Sequence, residues 1–301
     1  MITRLVQLDH PGFGRRVALA DGDDLHLLGA YRSIHAFALA ALEIGVPLRD
    51  LLSTDLTGVA LDYNAVHALA SEWTFAPAFD NPEEPSHCIV SGCGRTYGAP
   101  PGADAPGPSW FYKGTGACLR AHGQALEIPW FAAGGGEEAE LVGVYVIDKN
   151  GVPRRIGFAQ GNEFADPALA KRDPGAFAHA KLRTCSLGPE LILDAEMQDV
   201  PGRIVIQRGD SILFSKDFRA GESHMHYPIA QVEQNLFRYA QHRRPGDSHV
   251  HYMGAAVPPF EDGSALAHGD VVAIGFEGFG KPLRNTITRQ PQTPLAPVMP
   301  L

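Results

Sequence analysis

The chain has no long apolar run. Nothing in it approaches the roughly 18 residues that a membrane span needs, and the opening MITRLVQLDH lacks the apolar core of a secretory signal. Cysteine is scarce. Cys88, Cys93, Cys118 and Cys185 form no C-x-x-C pair and read as reduced thiols of a cytoplasmic protein. Positive charge is in deficit: 25 Lys and Arg stand against 34 Asp and Glu, a net charge of -9, which argues against nucleic-acid binding. The short basic patches Lys171-Arg172 and Arg243-Arg244 read as solvated surface. No internal repeat is present.

What is there is ordinary globular composition. Of 301 residues, 45% are apolar, enough for a sizeable core in one large domain or in a small and a larger one. Leu5 to Leu8 and Arg16 to Leu19 read as strands joined by a turn at Pro11-Gly12, with another turn at Asp21-Gly22. Ser33 to Ile44 reads as a helix with Ile34, Phe37, Ala41 and Leu42 on one face and Gly45 at its C-terminal cap. A second helix is expected over Tyr63 to Ala70. Residues 1–80 thus form a small mixed α/β unit, and Asn81 to Pro85 is the best linker. From Cys88 onward, strand-length apolar runs recur between Gly and Pro turns: Cys88 to Val90, Leu141 to Ile147, Ile204 to Gln207, Val250 to Tyr252 and Val271 to Phe276. The expectation is an α+β chain whose residues 85–290 form a β-rich roll or barrel. Helices are expected from Asp166-Pro167, interrupted at Pro174, and from Pro228, with Ile229, Val232, Leu236 and Tyr239 on one face. Tyr97 to Ser109 is a Gly, Ala and Pro-rich lid or surface loop. In the tail, 291–301, prolines at 291, 294, 297 and 300 line one edge of a polyproline helix.

The most informative stretch is acidic residues set in apolar sequence, GGGEEAELVGVYVID (Gly134 to Asp148). Side chains alternate across a strand, so Glu138 and Glu140 share a face with Val142, Val144 and Val146. Leu141, Tyr145 and Ile147 make the opposite face apolar too, so the strand should be buried. Two buried carboxylates side by side repel and lose hydration, and a bound cation is the usual remedy. An all-oxygen site selects magnesium, with manganese or calcium as alternatives, over zinc. Glu137 is expected to face the other way, at the surface or behind the site.

Glu138-Ala139-Glu140-Leu141, then Asn162-Glu163, Lys181 and Ser186-Leu187-Gly188-Pro189 follow in order. Pro245-Gly246-Asp247, Gly254-Ala255, Gly269-Asp270, Gly278-Phe279-Gly280 and Asn285 complete the set. This ordered set, over roughly residues 85 to 287, resembles the fumarylacetoacetate hydrolase superfamily. The strings WFYKG, GGEE, GNEF and RRPGDSHVH resemble its sugar-acid branch, which includes dehydratases of 2-keto-3-deoxy pentonates. The resemblance implies a metal triad of Glu138, Glu140 and Glu163, a catalytic Lys181, substrate contacts at Lys113, Gly254 and Ala255, and a homodimer. Three departures stand out. Glu163 replaces the usual Asp, Gly254-Ala255 replaces Gly-Thr, and no His or Glu lies between Cys93 and Trp110 to activate water.

Bland readings compete. Lys181 would serve as a helix-end cation, and Cys185 as a buried thiol rather than a nucleophile. The H-x-H pairs His224/His226 and His249/His251 offer a rival zinc or iron site on a β-barrel. The reading carried forward is a divalent-metal-dependent dehydratase of a 2-keto-3-deoxy sugar acid, such as a pentonate giving 2-oxoglutarate semialdehyde. On that reading, metal-stabilised enolate formation follows removal of a C3 proton, with Lys181 as ketone stabiliser or base. The alternative is hydrolytic C–C cleavage of a 2,4-diketo acid, which needs a base for water; His122 and His179 are candidates.

Overall fold

A computed structural model describes residues 2–93, 107–193, 195–258 and 265–301. Most of the lid segment expected at Tyr97 to Ser109 lies outside these residues. The described chain is a strand-rich α/β structure of two sheets with short helices, the longest being Ile34–Ile44. No helix is long and apolar enough to cross a membrane among the described residues.

The large sheet runs through Leu56–Asp62, Asp24–Leu28, Arg16–Asp21, Thr3–Asp9, Cys185–Leu193, Pro153–Asn162, Ala139–Ile147, Ser248–Ala255, Cys88–Gly92 and Phe111–Thr115. Neighbours are antiparallel except Ser248–Ala255 with Cys88–Gly92. Two short strands lie off this path: Thr74–Phe75 beside Thr3–Asp9, and Leu119–Arg120 parallel to Cys185–Leu193. Strands from before residue 80 therefore continue the sheet that holds the acidic strand. The smaller sheet orders Ser211–Ala220, Val200–Arg208, Val271–Phe276, Leu283–Arg289 and Leu126–Ile128.

Ala139–Ile147 is buried along its whole length because both faces are covered. Val142, Val144 and Val146 pack with Leu5, Phe37 and Tyr252 on one side. Leu141 and Tyr145 pack with Ile204, Ile274 and Phe276 of the smaller sheet on the other. Each such side chain is worth roughly 1.5–3 kcal/mol of burial. The register is thereby locked, since a one-residue slip would turn every side chain, both glutamates included, to the wrong face.

The local signals that acted through a single cap were legible. Ser33 accepts from Ala36 N at 3.1 Å at the start of Ile34–Ile44, and Gly45 ends it at φ 81°. Asp166 accepts from Leu169 N ahead of Pro167–Arg172. Other expectations need correction. Leu48–Asp55 is a helix and Leu56–Asp62 a strand, neither expected, and the helix from Tyr63 stops at His67. Tyr239 lies beyond the helix Ile229–Phe237 and is exposed, because the helix ends at Phe237. Gly188-Pro189, in the motif set that resembles the family, sits inside the buried strand Cys185–Leu193 and is joined by a cis peptide bond.

Candidate active site

Strand pairing assembles the carboxylates. Ala139 lies opposite Asn162 and Glu140 opposite Gly161, so the next step of the same antiparallel ladder sets Glu163 across from Glu138. The Glu163 N–H donates to the Glu138 carbonyl at 2.9 Å and closes that step. Alternation then turns Glu138, Glu140 and Glu163 to one face. One carboxylate oxygen from each lies within 4.8 Å of the others. Glu140 and Glu163 are buried, and Glu138 is partly so. Gly161 keeps this corner tight: a Cβ there would lie 2.7 Å from both Tyr252 Cε1 and Val142 Cγ2.

Gly254 supplies one hydrogen bond. The pairing of Ala139–Ile147 with Ser248–Ala255 slips between Glu140 and Val142, a bulge that sets Met253 and Gly254 against Leu141. Gly254 adopts φ 98°, which favours glycine, and its N–H donates to Glu140 Oε2 at 2.8 Å. Gly254 also lines a cavity of about 220 Å³ with Leu141, Arg219, His224, Met225 and Met253. Ala255 is buried directly opposite Glu140.

Both expected lysines reach Glu163. Lys181 ends the short helix Phe177–Lys181. Its ammonium donates to Glu138 Oε2 at 2.9 Å and to Glu163 Oε2, and sits 4.7 Å from the Phe111 ring centroid and 5.8 Å from that of Phe177. Lys113 was expected to meet substrate. Here its buried ammonium donates to Glu163 Oε1, to the Phe164 carbonyl at 2.7 Å and to the Lys181 carbonyl at 3.0 Å. Those three bonds use all three ammonium donors, so Lys113 serves Glu163 and the backbone around it.

The charges follow from this arrangement. Burial works to raise the Glu163 carboxyl, but Lys113 and Lys181 outweigh it and hold the group below the usual carboxylate range. Burial, then the charge of Glu163, pushes Glu138 up to about 8 despite Lys181. Burial, Glu163 and Glu138 push Glu140 well above its usual value, against which Gly254 N–H is a small aid. Burial opposes the Lys181 charge, but Glu163 and Glu138 raise its pKa well above that of a free lysine. Glu138 and Glu140 are thus hard oxygen donors with too little positive charge beside them. That is the condition a divalent cation relieves, so the residues fit such an ion.

Other expectations fare differently. Glu137 is buried, not a surface group. His224 lies in a short 3-10 turn, exposed, against Asp199 at 2.8 Å. His249 bonds the His242 carbonyl at 2.9 Å and His251 bonds Ser91 Oγ at 2.9 Å. Among the described residues the one metal-ligating cluster is the glutamate triad, so the zinc or iron reading of the histidines fails for want of converging ligands. His122 contacts the His67 carbonyl at 2.9 Å and the Arg284 N–H at 3.2 Å, and His179 is exposed. Phe111 and Phe177, which flank Lys181, were missed. Their place beside WFYKG and on the helix before Lys181 was the available signal.

No family model and no curated protein matches the chain. Solved structures do. The apo form of 2-keto-3-deoxy-D-arabinonate dehydratase superposes with TM-score 0.75 at 19% identity, over 96% of this chain and 100% of that one. The same enzyme complexed with magnesium and 2,5-dioxopentanoate gives 0.74 at 19% identity with the same coverage. A 2-hydroxyhepta-2,4-diene-1,7-dioate isomerase from Mycobacterium marinum gives 0.65 at 18% identity, over 96% of this chain and 100% of that one. The chain thus has the fold that the 2-keto-3-deoxy-D-arabinonate dehydratase structures share with that isomerase.

Proposed function

We propose that the protein is a divalent-metal-dependent dehydratase of a 2-keto-3-deoxy sugar acid, with a pentonate as the substrate and 2-oxoglutarate semialdehyde as the product. The carrying observation is the charge set of the buried corner. With all three ionised, as a bound cation would keep them, three carboxylates face two ammoniums, a surplus of one negative charge. A divalent cation reverses that to one positive charge, which a single substrate carboxylate balances. A 2-keto acid presents that carboxylate with a ketone oxygen beside it. Glu138, Glu140 and Glu163 hold the ion, magnesium by the hardness of the donors, with manganese or calcium as alternatives. When bound, the ion supplies Lewis-acid polarisation of the ketone.

The chain's own groups do the rest. Gly254 N–H fixes Glu140, and Lys113 fixes Glu163 from behind. Lys181 is partly screened by Phe111 and Phe177 and is the proton-carrying group that faces the carboxylates. It stabilises the ketone oxygen as an ammonium, or takes the C3 proton after passing on its own; loss of the C3 proton and of the C4 hydroxyl removes one water. The superposition on structures of a dehydratase, at TM-scores of 0.74 and 0.75, supports elimination. A homodimer in the cytoplasm belongs to the same reading, and sedimentation velocity tests the dimer.

The deciding experiment feeds 2-keto-3-deoxy pentonates and a 2,4-diketo acid side by side, with magnesium, and weighs the products. A product lighter by one water is expected. Two smaller acids, together heavier than the substrate by one water, would replace this reading with C–C hydrolysis.

A further inference from the structure

We propose that Cys118 and Cys185 form a reversible oxidation site, closed to a disulfide by a hydroperoxide, that ties together the two chain segments bearing Lys113 and Lys181. Their sulfurs are 3.8 Å apart. Cys185 opens a strand that pairs in parallel with Leu119–Arg120, and Cys118 is the residue just before Leu119. A disulfide needs the sulfurs to approach by about 1.8 Å more, within reach of small side-chain and turn movements. Cys118 ends the 3-10 turn Gly116–Cys118 and is partly exposed, so a small oxidant reaches the pair.

The other two thiols are unsuited. Cys88 and Cys93 are buried, and burial pushes Cys88 up to about 12 and Cys93 further, the charge of Glu140 adding to the latter. Cys185 behaves oppositely. Burial works to raise it, but the hydrogen bond it shares with Cys118 and the Lys113 ammonium favour its thiolate, while the same hydrogen bond and burial raise Cys118, so the pair holds its proton on Cys118. Low-pKa sulfur next to a cation and a second thiol is the setting in which oxidation ends as a disulfide.

The step balances. One sulfur attacks the peroxide O–O bond, giving a sulfenic acid and one water or alcohol. The other sulfur displaces the sulfenic oxygen, forming S–S and releasing water. Two electrons pass from the sulfurs to the peroxide, and the two thiol protons leave in the products. The link has consequences for the lysines because of where it falls. A Cβ on Gly114, the neighbour of Lys113, would lie 3.2 Å from Cys118 Sγ, so that sulfur rests against Gly114, one residue from Lys113. Cys185 follows Lys181 by four residues. Closing the bond therefore reaches both ammoniums that face Glu163.

The test uses the full chain treated with hydrogen peroxide, alkylated and digested without reductant. A Cys118–Cys185 cross-linked peptide, lighter than the two thiol peptides by two hydrogens and abolished by dithiothreitol, is expected. Amide hydrogen exchange across residues 114–120 should slow several-fold on oxidation and recover on reduction. Cys118→Ser should show neither change, and Cys88→Ser should show both. Free or sulfinic Cys118 with no cross-link overturns the site. A cross-link that leaves exchange at 114–120 unchanged overturns the tether.

Discussion

Replacing Glu140 with Gln should shrink the stabilisation that magnesium gives and raise the stability of the metal-free protein. Unfolding entropy of about 2.1 cal/mol/K per residue gives about 0.63 kcal/mol/K for 301 residues. Magnesium at a hundred times its dissociation constant adds about 2.7 kcal/mol to the folded state, a rise in melting temperature of about 4 °C. Losing one of three carboxylate ligands should weaken binding at least as much as the 10- to 100-fold that follows loss of a ligand's supporting partner. At the same magnesium concentration the increment then falls to about 0.4–1.4 kcal/mol, or about 1–2 °C. In chelator the variant gains stability. Glu140 is a buried carboxyl raised well above its normal value, so carrying it into the fold at neutral pH is unfavourable. Gln removes that cost and retains an oxygen for the Gly254 N–H, so the metal-free variant should melt higher than wild type. Scanning fluorimetry at pH 7.5, in EDTA and in magnesium, reads both shifts. An unchanged magnesium increment would refute Glu140 as a ligand. A lower metal-free melting temperature would refute the electrostatic argument.

Further outcomes follow from the same geometry. Lys113→Met leaves the buried Glu163 with one cation fewer and should cost about 3–5 kcal/mol, read as a shift in the urea midpoint; a change below about 1 kcal/mol would show that Lys113 carries no such load. Lys181→Met should lower turnover by about 10²–10⁴-fold while magnesium still stabilises the protein, which steady-state kinetics and fluorimetry separate; near-normal turnover removes Lys181 from the chemistry. Gly254→Ala forces a side chain onto φ 98° and should cost about 1–3 kcal/mol along with magnesium affinity, whereas equal magnesium response would mean the Glu140 contact is dispensable. Burial brings His122 and His249 down to about 4 and His251 to about 3. The unfolded chain binds protons near pH 6.5 that the folded chain does not, so stability falls as pH drops, by about 2 kcal/mol per histidine between pH 6.5 and 5. Glu190, raised to about 6 mainly by burial, works the other way and returns about 1 kcal/mol over the same window. In saturating magnesium the urea midpoint should therefore decline from pH 6.5 to 5, and a rising midpoint would contradict the buried neutral imidazoles.

The pair Glu138 and Glu140 was legible because its logic is local. The two are two residues apart where apolar faces announce a buried strand, whereas Glu163 was reached only through the resemblance, since its place across from Glu138 is set by strand pairing. The strand Cys185–Leu193 was not legible. Gly188-Pro189 and the polar Ser186 and Glu190 break any apolar pattern, yet all nine residues are buried. Their polar groups find partners only in three dimensions: Ser186 bonds Asn285 at 2.7 Å and Glu190 accepts from Tyr63 at 2.5 Å. Leu56–Asp62 was missed for the opposite reason. It is an exposed edge strand, so no burial pattern marks it, and only pairing with Asp24–Leu28 defines it.

By itself the sequence determined which side chains share a face, where capped helices begin, and that Glu138 and Glu140 stand together at the start of a buried strand. Those properties follow from backbone periodicity and from the cost of burying charge, which act over a few residues. Only the tertiary structure decided that Lys113 turns inward to Glu163, that Phe111 and Phe177 flank Lys181, and that Cys118 meets Cys185. Each of these joins residues from distant strands, and the contact exists only once sheet register has brought them together.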